Sequence, residues 1–488
     1  MKKRFYLLLL LLLIVILTSC GYSNSLGPGS YDYWNYPSGE DYLEINEKGF
    51  IKTLDKSVST FSLDTSTAGY ANLRRLINNK TTISKNHVKI EEMVNYFKYD
   101  YEAPTDDDLA ISSEIMTCPW NQNNKIISIG VKAKELEYLS SKENNLIFLL
   151  DVSGSMDSPN KLPLMQSAFK LFVETLNDND TISIVTYASG TRVVLEGAKG
   201  FEKQRIVNII EDLSASGSTA GAGGIQLAYQ MAQKYFIPEG NNRVILGTDG
   251  DFNVGISSIN NLKAFISEKR ETGVYLSVLG FGYGNLQDSK LSTLAQSGNG
   301  NYAYIDTITE AKKVLVEEIG GTLNIVAKDV KTQVTFNPKY VLEYRLLGYE
   351  NKMLSQDEFD DEKTDAGEIG AGHVTTAVYE VVLNTNEETE STLGEDWLEV
   401  LIKYKDPNNL NNLQVQKLIN GTSERLNPSE DLLFISAVIE FGLLLRNSEN
   451  KADASYEGVR TRLEGLNVIN SDEYKAQFLE LVKNAMSK

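Results

Sequence analysis

Between residues 145 and 325 the chain alternates short, nearly continuous apolar runs with longer segments whose apolar residues recur every three or four positions. The runs "NLIFLLDV", "TISIVTYA", "RVVLEG", "RVILGTD", "VYLSVLGFG" and "NYAYID" predict six strands. Helices are expected between them over 161–177, 201–213, 222–236, 258–272, 287–297 and 309–319. Strands that are apolar at successive positions suit a sheet covered on both faces. The pattern therefore predicts an α/β class, with a doubly wound, mostly parallel six-stranded sheet over 143–325. The short step from "TYA" to "RVVLEG" lacks a helix, which predicts an antiparallel hairpin at one sheet edge.

The flanks follow a different period. After 326, "VKTQVTFNP", "YVLEYRLLGY", "HVTTAVYEVVL" and "WLEVLIKYKDP" alternate apolar and polar positions with no helices between them, and "SQDEFDDEKTDAGEIGAG" reads as an acidic loop. These strands predict one side of a β-sandwich over 326–420, completed by a hairpin within 108–133, so that the α/β unit is inserted into a β-rich domain. Residues 421–488 show helical spacing and form a C-terminal helical region. Residues 51–142 read as an N-terminal helical region followed by that hairpin, with Ser66 or Thr67 as a cap and Tyr70, Leu73 and Leu76 on one helix face. The stretch 21–50, rich in Gly, Ser, Pro, Tyr and acids without a period, reads as a flexible tether.

The first twenty residues alter the picture. Lys2, Lys3 and Arg4 precede an apolar run from Phe5 to Leu17, too short to span a bilayer comfortably, which reads as an export signal. Leu17-Thr18-Ser19-Cys20 looks like a bacterial lipobox, in which the thiol of Cys20 is acylated; a simple signal-anchor is the alternative. The expected location is the cell envelope, lipid-anchored outside the cytoplasmic membrane. Cys118 is the one other cysteine, so a lipidated Cys20 leaves no intrachain disulfide, and stability rests on packed cores. With 66 acidic and 47 basic residues the net charge is −19, which argues against nucleic acid and anionic lipid surfaces as partners.

Candidate chemistry gathers at strand ends. In an open α/β sheet, ligands sit outside the carboxyl ends of strands where the strand order reverses. Asp151 ends the first strand of the unit and Asp249 the fourth, and in the order 3-2-1-4-5-6 those strands are neighbours at the reversal. Two carboxylates placed there repel unless a cation lies between them or one is protonated. "DVSGSM" adds Ser153 and Ser155 on the side of Asp151, with Gly154 allowing a tight turn, and "SASGSTAGAGG" adds Thr219. Asp151, Ser153, Ser155, Thr219 and Asp249 make an all-oxygen set with two negative charges, suited to a hard divalent ion. Magnesium is the natural choice, with manganese and calcium as alternatives.

Asp-x-Ser-x-Ser in "DVSGSM", Thr219 and the Asp of "LGTDGDFNVG" resemble the metal-ion-dependent adhesion site of a von Willebrand factor type A domain. "STFSLDTSTAGYANLRRLI", "VKIEEMVNYFKYDY", "CPWN", "GSTAGAGGIQLAYQ" and "GYEN" through "DAGEIGAGH" resemble, more narrowly, a bacterial lipoprotein family that joins such a domain to its own N-terminal region and a C-terminal domain of unknown function. The resemblance covers nearly the whole mature chain. It implies the doubly wound fold, with Ser153, Ser155 and Thr219 as direct or near-direct ligands and Asp151 and Asp249 acting partly through water. It names no ligand.

Competing readings have less to rest on. Asp, Ser and Thr are good caps and turn residues, which accounts for any one of the five but not for their convergence. An EF-hand on Asp249, Asp251 and Asn253 fails because Val254 stands at the turn glycine and Asn260 at the bidentate Glu. Asp157, Asp251 and Asn253 are therefore neighbours of the site. "GFGYGN" lacks dinucleotide-fingerprint spacing, no P-loop occurs, and His87 and His373 stand on different segments with no hydrolase or zinc motif around them. Cys118 reads as a packed small residue. The expected function is binding of a protein partner that presents an Asp or Glu carboxylate to the ion, with no catalytic residues. An envelope scaffold with a structural ion, or a magnesium-dependent hydrolase lacking an evident general base, are the alternatives.

Overall fold

The six apolar runs assemble into one sheet in the computed structural model, which describes residues 39–63, 66–135, 142–218, 221–250, 259–384, 394–425 and 427–487. Its strands are β1 (Asn144–Asp151), β2 (Thr181–Tyr187), β3 (Thr191–Lys199), β4 (Asn241–Thr248), β5 (Val274–Phe281) and β6 (Tyr302–Ile305). They lie in the order β6-β5-β4-β1-β2-β3, all parallel except the β2–β3 hairpin at the edge. Every residue of β1 is buried. Its side chains alternate between two cores: Leu146, Phe148 and Leu150 meet Phe169 and Ile206, whereas Ile147 and Leu149 meet Ile225, Tyr229 and Leu262. This double burial is why the strand reads as a continuous apolar run. The order reverses between β1 and β4, so their carboxyl ends form the crevice.

The flanking β-domain is a two-sheet structure, but the strands after 326 do not make up one side of it. Val341–Leu346 and Val374–Leu383 join the Leu109–Thr117 and Lys125–Ala133 hairpin and Ile51–Lys52 in one sheet. Ile325–Phe336, Asp396–Lys405 and Asn412–Asn420 form the other with Gly367–Gly370, and Val58–Ser62 also pairs with Ile325–Phe336. Alternation marks which side chains face inward but carries no information about which strands pair. Phe336 and Tyr344 stack at 4.1 Å within the shared core. The segment read as an acidic loop is partly ordered into Gln356–Asp360, capped by the Ser355 hydroxyl, and the strand Gly367–Gly370.

Residues 51–142 are not a unit of their own. Their strands belong to the sandwich, while Ala68–Asn78 and Ile90–Val94 share one core with the C-terminal helices Glu430–Arg446, Tyr456–Glu464 and Glu473–Met486, where Tyr70 and Phe97 meet Phe434 and Phe478. The tether is shorter than its composition indicates. From residue 39 it is docked: Glu40 pairs with Arg75 at 2.9 Å, Asp41 N donates to Leu286 O, and Ile45 is buried. The export signal, Cys20 and residues 21–38 lie outside the described residues. Among the described residues, no helix is long and apolar enough to cross a membrane.

Candidate metal centre

The turn after β1 folds back on its own carboxylate. Asp151 Oδ1 accepts a hydrogen bond from the backbone N of Ser153 at 2.9 Å, and the Ser153 and Ser155 hydroxyls lie 3.0 Å apart. Gly154 N donates to Gly217 O at 2.9 Å and Ser216 N to Val152 O at 2.8 Å, which pins the loop containing "SASGS" against "DVSGSM". A side chain at 154 would crowd Gly217 O, so glycine permits this close approach. From the neighbouring β4, the Thr248 hydroxyl donates to Asp151 Oδ2 at 3.3 Å and accepts from Gly250 N.

Asp151, Ser153 and Asp249 are almost wholly buried and Ser155 partly so. Burial pushes the Asp151 carboxyl up to about 6; its bonds to Ser153 oppose that rise, and the charge of Asp249 adds to it. The Tyr187 hydroxyl, at the end of β2, faces the same carboxylate and is itself held well above the usual phenol range, first by burial. Four of the five expected oxygen-bearing residues thus converge at the reversal of strand order. Thr219 lies outside the described residues, as do Asp251 and Asn253. Asp157 is exposed just after the Gly154–Met156 turn.

One residue of the site was not expected. Lys161 Nζ donates to Asp249 Oδ2 at 2.8 Å and to Ser155 O at 2.9 Å. In the sequence it reads only as the start of a helix. The available signal was electrostatic: a lysine immediately before Leu162–Thr175 opposes the positive end of the helix dipole, so its position has another cause. Its stem crosses Gly282, on the loop that follows β5, and that loop in turn holds Glu40 through Gly284 N.

The donor set suits a hard divalent cation: two buried carboxylates, one ammonium beside them, and hydroxyls able to act as neutral ligands. Among the described residues there is no cluster of three or more His, Cys, Asp or Glu fit for a metal, so a softer, zinc-type centre has no counterpart. His87 is buried and accepts from Ser84 N, and His373 packs against Gly321. Cys118 is buried beside the sandwich hairpin. A cavity of about 450 Å³ opens at the opposite, amino ends of the strands, lined by Leu146, Phe172, Asp180 and Gly320. It shares no residue with the oxygen set, and the strand-end rule places the ligand crevice at the carboxyl ends instead.

Comparison with known proteins gives matches along nearly the whole chain. Family models described as "von Willebrand factor", "von Willebrand factor type A domain" and "Uncharacterized protein YfbK, C-terminal" match residues 36–128, 145–317 and 321–487. The "Uncharacterized protein YfbK" of Escherichia coli (strain K12) is 36% identical over 472 residues, covering 92% of this chain and 81% of that protein. The "Uncharacterized protein sll0103" of Synechocystis is 28% identical over 204 residues, 42% of this chain and 47% of that protein. Among solved structures, a von Willebrand factor type A protein from Catenulispora acidiphila aligns with TM-score 0.42 and 17% identity, covering 73% of this chain and 86% of that one.

Proposed function

The chain belongs to the von Willebrand factor type A family whose members carry a YfbK-type C-terminal domain, and we propose that it is a lipid-anchored cell-envelope protein that binds a partner protein through a divalent-metal-dependent site. The type A domain indicates a protein-interaction or adhesion-type role; such domains are generally non-enzymatic and often bind a divalent metal. The observation that carries the finer reading is the convergence of Asp151, Ser153, Ser155 and Asp249 at the β1–β4 switch point.

Ser153 and Ser155 would hold the ion, with Thr219 as a third hydroxyl and the two carboxylates behind them. Magnesium suits this oxygen set, and manganese or calcium would be accepted by the same ligands. The ion, when bound, supplies an electrophilic position for an incoming carboxylate. The protein's part is to hold the hydroxyl turn rigid: the Ser153 N to Asp151 bond and the Gly154 N to Gly217 O bond do this without any contribution from a ligand.

Titration calorimetry with Mn²⁺ or Mg²⁺, combined with capture of envelope proteins on the immobilised chain, tests the proposal. Binding of the ion and retention of a partner in magnesium are expected, with both lost in chelator and in a Ser153→Ala, Ser155→Ala double variant of unchanged thermal stability. A partner held equally in all three conditions would mean that the interaction does not use this site. Turnover of a phosphoester by the wild type alone would favour a hydrolase.

A further inference from the structure

Lys161 stands where a lysine has no local reason to be. It immediately precedes the Leu162–Thr175 helix, its N donating to Ser158 O and its carbonyl accepting from Met165 N, at the helix end that disfavours a positive charge. Its ammonium nevertheless bridges two parts of the candidate site, Asp249 Oδ2 at 2.8 Å and the carbonyl of Ser155 at 2.9 Å, with the lysine and aspartate side chains 10% and 0% exposed.

The path of the side chain is built. A Cβ at Gly282 would lie 2.4 Å from Lys161 Cγ, so glycine is required for the stem to pass, and Gly282 sits at φ +73°, where other residues are strained. The Gly282 carbonyl accepts from the buried Tyr304 hydroxyl at 2.5 Å, which fixes the loop over which the stem runs.

We propose that Lys161 is a specificity-determining residue of the metal site: its ammonium cancels one carboxylate charge, weakens the hold on a divalent cation, and leaves the loaded site net positive, so that it selects an anionic, carboxylate-bearing ligand. This rests on the metal-site reading above. With two carboxylates alone a divalent ion is neutralised; with Lys161 present, one positive charge remains for the incoming ligand. Unit charges a few ångströms apart in a partly buried site interact strongly enough to change affinity by roughly tenfold or more.

The test uses the full chain, with Mn²⁺ as the probe ion and acetate as the probe anion. Lys161→Met removes the charge and keeps the stem, Lys161→Gln removes it and keeps a donor for Ser155 O, and Lys161→Arg keeps the charge. Both neutral variants are expected to bind Mn²⁺ about tenfold tighter by calorimetry, with Lys161→Arg within about twofold of wild type. Acetate, followed by water-proton relaxation of the Mn²⁺-loaded protein, is expected to displace bound water at several-fold lower concentration in the wild type than in the neutral variants. Mn²⁺ binding by the neutral variants alone would also support the proposal. Wild-type Mn²⁺ affinity that equals or exceeds that of both neutral variants overturns it while leaving the metal site intact. Failure of every protein to bind Mn²⁺ overturns the metal-site reading and this inference with it.

Discussion

Arg74 Nη2 lies 2.8 Å from Glu310 Oε2, a buried ion pair between the N-terminal flank and the type A domain. Arg74 stands on the Ala68–Asn78 helix and Glu310 on the short Ile308–Lys312 helix that leaves the α/β sheet. The same guanidinium holds Asp306 at 2.5 Å, and the Tyr96 hydroxyl donates to Glu310 at 2.7 Å. Lys89, also N-terminal, pairs with Asp288 of the type A domain at 2.8 Å. The domain is therefore fastened to its flanks by buried charge on two sides. Arg74→Ala leaves Glu310 buried and largely unpaired, and a loss of about 3–5 kcal/mol is expected. Thermal unfolding would report it as a lowered midpoint, and hydrogen exchange would show faster opening of residues 308–312.

A second buried pair ties the "CPWN" turn to the sandwich. Glu380 accepts from Arg345 Nε and Nη2 at 2.9 and 2.5 Å, from Trp120 Nε1 at 3.0 Å and from Asn124 Nδ2 at 2.6 Å. Glu380→Gln keeps the shape but removes the main counter-charge of Arg345, with Glu47 remaining at 3.3 Å. The expected cost is about 3 kcal/mol, read from denaturant midpoints. A variant as stable as wild type would show that Glu47 suffices.

Glu368 supplies a pH dependence. Burial pushes its carboxyl up to about 7, with Asp329 and Asp365 adding to the rise and Lys328 and Arg243 opposing it. It accepts from Asn299 Nδ2 at 2.8 Å, across the boundary between the type A domain and the sandwich. The folded carboxyl holds its proton more tightly than the unfolded one, so its contribution is fully present at low pH and is lost as pH rises from the ordinary carboxylate range to about 7. Glu368→Gln should leave stability unchanged at pH 5 and raise it by on the order of 1 kcal/mol at pH 8. Melting curves at the two pH values check this; an equal shift at both would point to packing instead.

Cys118 should be silent in the native protein. It is fully buried, and burial, helped by the charge of Glu380, pushes its thiol up. Since the thiolate is the reactive form, a thiol reagent is expected to label it only after unfolding. Rapid labelling under native conditions would show that the hairpin opens readily.

How much of this was legible beforehand depends on the range of the interaction. The inner strands of the α/β sheet were readable because burial on both faces leaves a local mark, the unbroken apolar run Leu146 to Leu150 in β1. Asp151, Ser153, Ser155 and Asp249 were readable because each ends or follows a strand, and strand ends converge by topology. The composition of 21–50 misled over residues 39–50, since Glu40 and Ile45 find partners far along the chain that no local pattern records.

Sequence by itself determined the fold class, the location of the crevice and the residue types that face it, because periodicity and motif spacing are properties of neighbouring residues. Tertiary structure alone decided which strands share a sheet in the sandwich, that the N-terminal helices complete the C-terminal core, and that Lys161 reaches Asp249. Each of these depends on which long-range surfaces meet, and a side chain long enough to cross a loop leaves no period in the sequence that carries it.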